Sequence, residues 1–330
     1  MAQPVAYKGW WPLCGSEELT DRKPVGVQCG DTRIAIYRDS DNRPRALEDR
    51  CPHRRVPLSL GRVTPDGFLQ CGYHGWTFDG DNGDLIRIPN LSEGERVPQC
   101  AIRCYATTES NGLVYVCLGE ESENPGAEAI LEQPYRPGAR EFRGVEHVPV
   151  SHEEFVAALM DGPDLVFGFT GVLFGERPLG DPRFDDGLLT LDRIAYWNWG
   201  GIGHANLGPL RHRADNPLML RTRTEPVTGT TTAQVCDNEG HVLAQSLLAC
   251  APAARGTTAV RWRASVVAGS GVPSGKGPAL LRALTRLGKS PFKVNSMIDG
   301  EALAALLPGP SDTWRQASRD STPLSLSETA

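Results

Sequence analysis

The stretch CPHRRVPLSLGRVTPDGFLQCGYHGW, residues 51 to 76, constrains this chain more than any other part of it. It delivers a Cys-x-His pair, Cys51 and His53, and a Cys-x-x-His pair, Cys71 and His74, with residues 54 to 70 between them. Pro52 follows the first Cys, Gly72 the second, and Gly75-Trp76 the last His. Such residues suit two tight loops that turn backbone N–H groups towards whatever the side chains hold.

Two thiolates and two imidazoles carried on two short claws match a 2Fe-2S cluster in which the cysteines hold one iron and the histidines the other. Neutral nitrogen in place of anionic sulfur leaves the reduced cluster with less negative charge and raises its potential, so the segment reads as a one-electron relay of the Rieske kind. Zinc is the alternative for the same side chains. The Cys-x2-4-Cys knuckles and His-x3-5-His pairs usual in mixed zinc sites do not occur in the segment.

CPHR followed by PLSLG, then CGYHGWTFD, and later NGLVYVCLG at 111 to 119, resembles the N-terminal half of the Rieske non-haem iron oxygenases, the vanillate demethylase-like and ketosteroid hydroxylase-like oxygenase components. The likeness covers residues 8 to 120. It implies Cys51, His53, Cys71 and His74 as cluster ligands, a following catalytic domain with a mononuclear iron, and subunits arranged as a ring. No Gly-rich phosphate loop follows any strand, so the chain shows no flavin or nucleotide site, and electrons are expected from a separate ferredoxin or flavin reductase.

A chain of 330 residues exceeds one comfortable core. The expected organisation is a Rieske domain over 1–120, a Glu/Pro/Gly-rich linker over 121–140, a catalytic-type domain over 141–310 and a polar, disordered tail over 311–330. The net charge of -6 and the lack of a basic stripe argue against nucleic acid. No apolar run is long enough to span a bilayer, and the first residues do not read as a signal peptide, so a cytoplasmic protein is expected. Nine scattered cysteines suggest free thiols in a reducing compartment. Cys100 and Cys104 are close in sequence, but Cys104 and Cys117 sit in strand-like runs, where a small buried thiol is ordinary packing.

Short strands broken by turns fill the first part: residues 25–30, 32–39 and 44–50, with Asp79-Gly80 and Asn82-Gly83 as hairpin corners and Trp10-Trp11 as core. In the second part, 142–150 reads as a strand and SHEEFVAALMDG as a helix with a Ser151/Glu154 capping box. Strand-like runs follow at 188–199, 218–237, 242–252 and 257–267, and helical patterns at 278–288 and 293–307. The fold class is α+β: an all-β domain, then an antiparallel sheet closed over by helices.

Oxygenases of the resembled family carry Asp-x2-His-x3/4-His on and after a helix. The matching segment here is LMDGPDLVFGF: Asp161 is present, Asp164 stands where the first His belongs, and Gly168 or Phe169 where the second does. The resemblance gives Asp161 a bridging role, hydrogen-bonding a Rieske histidine across a subunit boundary, and gives Asp299 the place of the carboxylate ligand. His147 and His152 have a His-x4-His separation but precede the helix; His204, His212 and His241 read as structural or surface. Three readings follow. The chain is a Rieske electron relay beside an intact oxygenase subunit in a mixed oligomer, or a self-sufficient monooxygenase or demethylase with iron on His147, His152 and Asp299. In the third it binds a small molecule among Phe167, Phe169 and Trp197. Ligand count favours the first, which makes a mononuclear Fe(II) in this chain doubtful.

Overall fold

The structure is a computed structural model that describes residues 7–20, 22–92, 95–119, 141–197, 217–254, 256–267 and 290–298. The expected linker, the tail, the helical pattern at 278–288, and His204, His212 and Asp299 lie outside the described residues. Two compact units are present, Met1–Glu132 with Ala251–Arg255, and Gln133–Cys250 with Gly256–Ala330.

The first unit is built from β1 (Gly9–Gly15), β2 (Val25–Cys29), β3 (Thr32–Arg38), β4 (Pro44–Glu48), β5 (Arg62–Val63), β6 (Leu69–Gln70), β7 (Thr77–Phe78), β8 (Leu85–Arg87), β9 (Cys104–Tyr105), β10 (Thr107–Ser110) and β11 (Leu113–Leu118). Three antiparallel sheets result, in the orders β1-β11-β10, β2-β3-β4-β9 and β5-β6-β7-β8. Strand β3 explains why its sequence runs apolar without a break. Ile34 and Ile36 enter a core with Trp11, Leu13, Val114 and Val116, while Ala35 and Tyr37, on the opposite face, enter a second core with Leu47, Leu58, Leu69 and Phe78. A strand buried on both faces has no polar side to show. Cys51 and Cys71 belong to that second core.

The expected hairpin corner between β7 and β8 is present. Gly83 has φ 78°, and a Cβ there would come 1.9 Å from the Ile102 carbonyl oxygen, so glycine is required twice over. Of the tandem tryptophans, Trp11 is core and Trp10 half-buried.

The second unit opens with β12 (Glu141–Val148) and the helices α1 (His152–Asp161) and α2 (Pro163–Val166). The capping box forms as read: the Ser151 hydroxyl accepts from the Glu154 N–H at 3.3 Å, and the Glu154 carboxylate accepts from the Ser151 N–H at 3.0 Å. His152, Phe155, Val156, Leu159 and Met160, three to four apart, give α1 its buried stripe. Strands β13 (Phe167–Phe169), β14 (Val172–Pro178), β15 (Arg183–Asp185), β16 (Leu188–Trp197), β17 (Leu218–Thr224), β18 (Thr231–Cys236), β19 (Val242–Pro252), β20 (Thr258–Val266) and β21 (Phe292–Val294) complete it. The main sheet has eight strands in the order β12-β20-β19-β18-β17-β16-β14, with β15 paired to β16.

Two expectations on the second unit are corrected. The run 218–237 is a hairpin, β17 and β18, because the Glu225 carboxylate takes the N–H groups of Val227 at 2.9 Å and Thr228 at 2.6 Å and turns the chain. The pattern at 293–307 does not begin as a helix. Phe292 and Val294 point inward with Lys293 outward, and β21 pairs with β13 so that Phe292 meets Phe169 and Trp262 at ring distances of 5.1 Å each. Aromatic burial through a long-range pairing outweighs local helix preference here. The architecture is mostly β with few helices, as the α+β plan requires.

Candidate metal centre

Residues Cys51–Val56 and Cys71–Trp76 fold into the same six-residue turn. In the first, the Cys51 N–H donates to the Val56 carbonyl at 2.9 Å and the Arg55 N–H to the Cys51 carbonyl at 2.8 Å. In the second, the Cys71 N–H donates to Trp76 at 2.8 Å and the Gly75 N–H to Cys71 at 3.1 Å. Both turns need a left-handed residue at their fifth position, Arg55 at φ 60° and Gly75 at φ 71°. Glycine adopts that conformation freely, whereas arginine pays on the order of 1–2 kcal/mol for it. The histidine stands third in one turn and fourth in the other.

Neighbouring polar side chains pin each turn. Asp49 accepts from the Ser59 N–H at 2.6 Å and the Ser59 hydroxyl at 2.7 Å, which fixes the segment after the first claw. Gln70 Nε2 donates to Thr77 Oγ1 at 3.1 Å, and that hydroxyl donates to the Gly75 carbonyl at 3.0 Å, tying the two ends of the second claw together. Nothing in the sequence marked these residues, because single Asp, Gln and Thr side chains beside a motif carry no spacing signal.

The four side chains predicted as ligands meet in two pairs, cysteine with cysteine and histidine with histidine. Cys51 and Cys71 are buried, at 2% and 3% exposure, and their thiols are in hydrogen-bond contact. His53 and His74 are exposed, with Nδ1 atoms 3.1 Å apart and ring centroids 4.7 Å apart. Trp76 lies flat on His53, 4.7 Å away with planes 4° apart, and Tyr73 sits 3.9 Å from His74. Burial, and then the neighbouring Cys71, push the Cys51 thiol up to about 11, while N–H groups of His53 and Arg54 donate to its sulfur and pull the other way. The ring of His53 is held below the ordinary imidazole range by desolvation first, then by His74 and Arg54. A Cys51 thiol costly to ionise and a His53 ring kept neutral are donors waiting for positive charge.

Geometry separates the cluster from the zinc alternative. Bond lengths of about 2.0–2.3 Å put the donor atoms of one tetrahedral zinc within about 4 Å of each other. No three of the four donors here lie within 4.8 Å of one another. A buried sulfur pair set apart from an exposed nitrogen pair fits two metal ions and not one, as a 2Fe-2S cluster with split ligation requires.

The second unit presents a different picture. Asp161 is the last residue of α1 and half-buried, Asp164 is exposed, and Gly168 and Phe169 lie on β13 with Phe169 in the core. From β16, Arg193 reaches the same place. It is 1% exposed, and its Nη2 donates to the carbonyls of Met160 at 2.5 Å and Asp161 at 3.4 Å, satisfying the end of α1. Burial lowers its pKa, and the charges of Asp161 and Asp164 oppose that shift. His147 is on the exposed face of β12, and His152 is buried with its Nε2–H on the Thr228 carbonyl at 2.9 Å. One ring faces solvent and the other the core, and neither joins a group of three donor atoms among the described residues. Phe167 and Phe169 pack as core with Phe292. One further group converges, Asp237, Glu239 and His241 in the β18–β19 turn, where Asp237 Oδ1 accepts the N–H groups of Glu239 and His241.

Residues 9–106 match the model of the Rieske [2Fe-2S] domain family. The chain thus carries a domain of that family, and its relatives include oxygenase components. It is 34% identical over 219 residues to the chloroplastic protein TIC 55 of Arabidopsis thaliana, which covers 66% of this chain and 40% of that protein. It is 35% identical over 153 residues to the oxygenase component of dicamba O-demethylase from Stenotrophomonas maltophilia, 46% of this chain and 44% of the relative. To the vanillate O-demethylase oxygenase subunit of a Pseudomonas strain it is 36% identical over 154 residues, 46% of this chain and 42% of the relative. The chain thus spans less than half the length of these relatives. Crystal structures share the fold: dicamba monooxygenase bound to 3,6-dichlorosalicylic acid has a TM-score of 0.63 at 19% identity, covering 99% of this chain and 93% of that one. A theobromine-bound NdmA mutant from Pseudomonas putida CBB5 has a TM-score of 0.60 at 18% identity, covering 94% and 89%.

Proposed function

We propose that this Rieske protein is the electron-relaying component of an oxygenase system, with Cys51, His53, Cys71 and His74 as the ligands of its [2Fe-2S] cluster and the mononuclear iron on a partner subunit. When bound, the cluster supplies one-electron transfer at the raised potential that imidazole ligation confers. The chain's own residues do the rest. Cys51 and Cys71 keep the sulfur side dry inside a packed core, and N–H groups of His53 and Arg54 stabilise the Cys51 thiolate. Both imidazoles converge through Nδ1, which leaves each Nε2 free to hold or release a proton at the exposed surface. Trp76 fixes the ring plane of His53 by stacking.

The observation that carries the second half of this reading is Arg193. Iron of the facial-triad kind is held by two neutral imidazoles and one carboxylate around an open position. Here a buried guanidinium stands beside Asp161 and Asp164, and Phe169 fills the core where a second imidazole would be needed. A fixed positive charge repels a divalent cation, and a phenyl ring offers it no donor. Protein purified and reconstituted without oxygen is expected to hold about two irons per chain with Rieske absorption and EPR signals. A reproducible third iron would overturn the proposed division of labour.

A further inference from the structure

A chain of side-chain hydrogen bonds starts at the surface of the first unit and ends on the second claw. Arg62, on β5, stands opposite Gln70, on β6, and its Nε donates to the Gln70 Oε1 at 2.7 Å. Gln70 Nε2 donates to Thr77 Oγ1 at 3.1 Å, and Thr77 Oγ1 donates to the Gly75 carbonyl at 3.0 Å. Arg62 is exposed, whereas Gln70 is 9% exposed and Thr77 fully buried. The sense of every bond follows from the first member. A guanidinium has donors only, so the amide must turn its oxygen to Arg62 and its NH2 group to Thr77. The hydroxyl then accepts from Gln70 and has its own proton left for Gly75. Bonds aligned in one sense from a fixed cation polarise and strengthen one another.

The carbonyl at the end of this chain belongs to the peptide between Gly75 and Trp76. Gly75 is the left-handed residue of the second claw, at φ 71°, and directly follows His74. Trp76 leaves the same peptide and lies flat on His53 of the first claw, 4.7 Å away with planes 4° apart. One peptide plane therefore bears on both imidazoles, on His74 through the backbone before it and on His53 through the indole after it. The support beneath is stiff. A Cβ at Gly61 would come 2.0 Å from the Gln70 carbonyl oxygen, and one at Gly72 would come 2.9 Å from that of Leu60, so the segment after the first claw packs backbone to backbone on the residues that open the second.

We propose that Arg62, Gln70 and Thr77 are positioning residues for the [2Fe-2S] cluster, whose hydrogen-bond chain holds the Gly75–Trp76 peptide and so sets the orientation of both histidine ligands and the midpoint potential of the centre. The proposal rests on the reading of the claws as a Rieske centre. Groups that orient metal ligands from outside typically contribute roughly 10–100-fold to metal affinity. This chain also brings the positive end of its dipoles towards the second claw, which favours the electron-rich, reduced state of the centre. Breaking it is expected to lower the potential.

The test compares full-length, cluster-loaded protein and its variants by redox-titrated EPR and by iron release to a chelator. Thr77→Val and Gln70→Leu break the chain and should lower the midpoint potential, broaden the EPR lines as imidazole orientations spread, and release iron at least about tenfold faster. Thr77→Ser, which keeps the hydroxyl, should match the wild type in all three. Arg62→Ala, at the exposed end, should shift the potential the same way. Thr64→Val is the control for lost stability: Thr64 is buried in the β5–β6 turn, and its hydroxyl takes the Phe68 N–H at 3.1 Å and bonds to no member of the chain. It should lower Tm while leaving the potential and line shape in place. Wild-type potential and line shape in Thr77→Val and Arg62→Ala overturn the proposal, and so does an equal shift in Thr64→Val, which would assign the effect to stability. Should Thr77→Val fail to fold, an unchanged potential in Arg62→Ala overturns it alone. Absence of Rieske signals in the wild-type protein would instead remove the underlying reading, and the proposal with it, before any variant is compared.

Discussion

At the scale of single residues, the two claws show how one backbone turn can serve two different ligand spacings. The turn is closed by the first residue's N–H and the fifth residue's N–H, so the residue carrying the imidazole can shift from third to fourth without changing the frame. Cys51 and Cys71 are the fixed points, because each begins its turn and each is packed in the core. Cys51→Ala or Cys71→Ala is expected to abolish the cluster's absorption and EPR signals. His53→Cys or His74→Cys should retain a cluster but move its midpoint potential down, towards the roughly -400 mV typical of all-cysteine plant-type clusters, as voltammetry would register. A variant histidine-to-cysteine protein with an unchanged potential would contradict imidazole ligation. The pairing of these four side chains was legible in the sequence because they sit within six-residue turns whose residue types encode them locally. Arg55 was not singled out, since its left-handed conformation becomes meaningful only beside Gly75.

At the scale of elements, helix α1 was legible in full: a capping box, a buried stripe at helical spacing, and a glycine after its last residue. Its first residue was harder to judge. His152 looked like a possible iron ligand from its spacing to His147, yet it is buried and bonded to Thr228, and burial holds its pKa below the ordinary 6.5. The folded state therefore prefers the neutral ring, and below about pH 6.5 the unfolded state binds the extra proton more readily. Stability from this residue is complete above that pH and is lost as pH falls below it. Thermal denaturation between pH 7.5 and 5 should show the loss, and His152→Gln, which can still donate to Thr228, should flatten the profile. An equally steep profile in the variant would assign the effect elsewhere. Strand β21 was misread as the start of a helix because three residues cannot show a period. Its partner β13 lies more than a hundred residues earlier in the chain, and the aromatic cluster that fixes the pairing is assembled only in the fold.

For the whole molecule, the question is what a chain with a Rieske domain does with its second unit. Its fold is shared with dicamba monooxygenase, and in its own second unit Arg193 is pressed against the end of α1 beside Asp161 and Asp164. A chain arranged this way, reduced and mixed with oxygen and an aromatic methyl ether, is expected to give no demethylated product in a single turnover. Appearance of product in the absence of any partner subunit would return oxygen chemistry to this chain. By itself the sequence determined the Rieske domain and its two Cys/His claws, since both depend on residue identity at short, fixed spacing. The tertiary structure alone decided that the four side chains meet as a sulfur pair and a nitrogen pair, and that Arg193 is buried against the end of α1. Those outcomes depend on sheet pairing between distant segments, which burial of apolar surface drives and which no local spacing records.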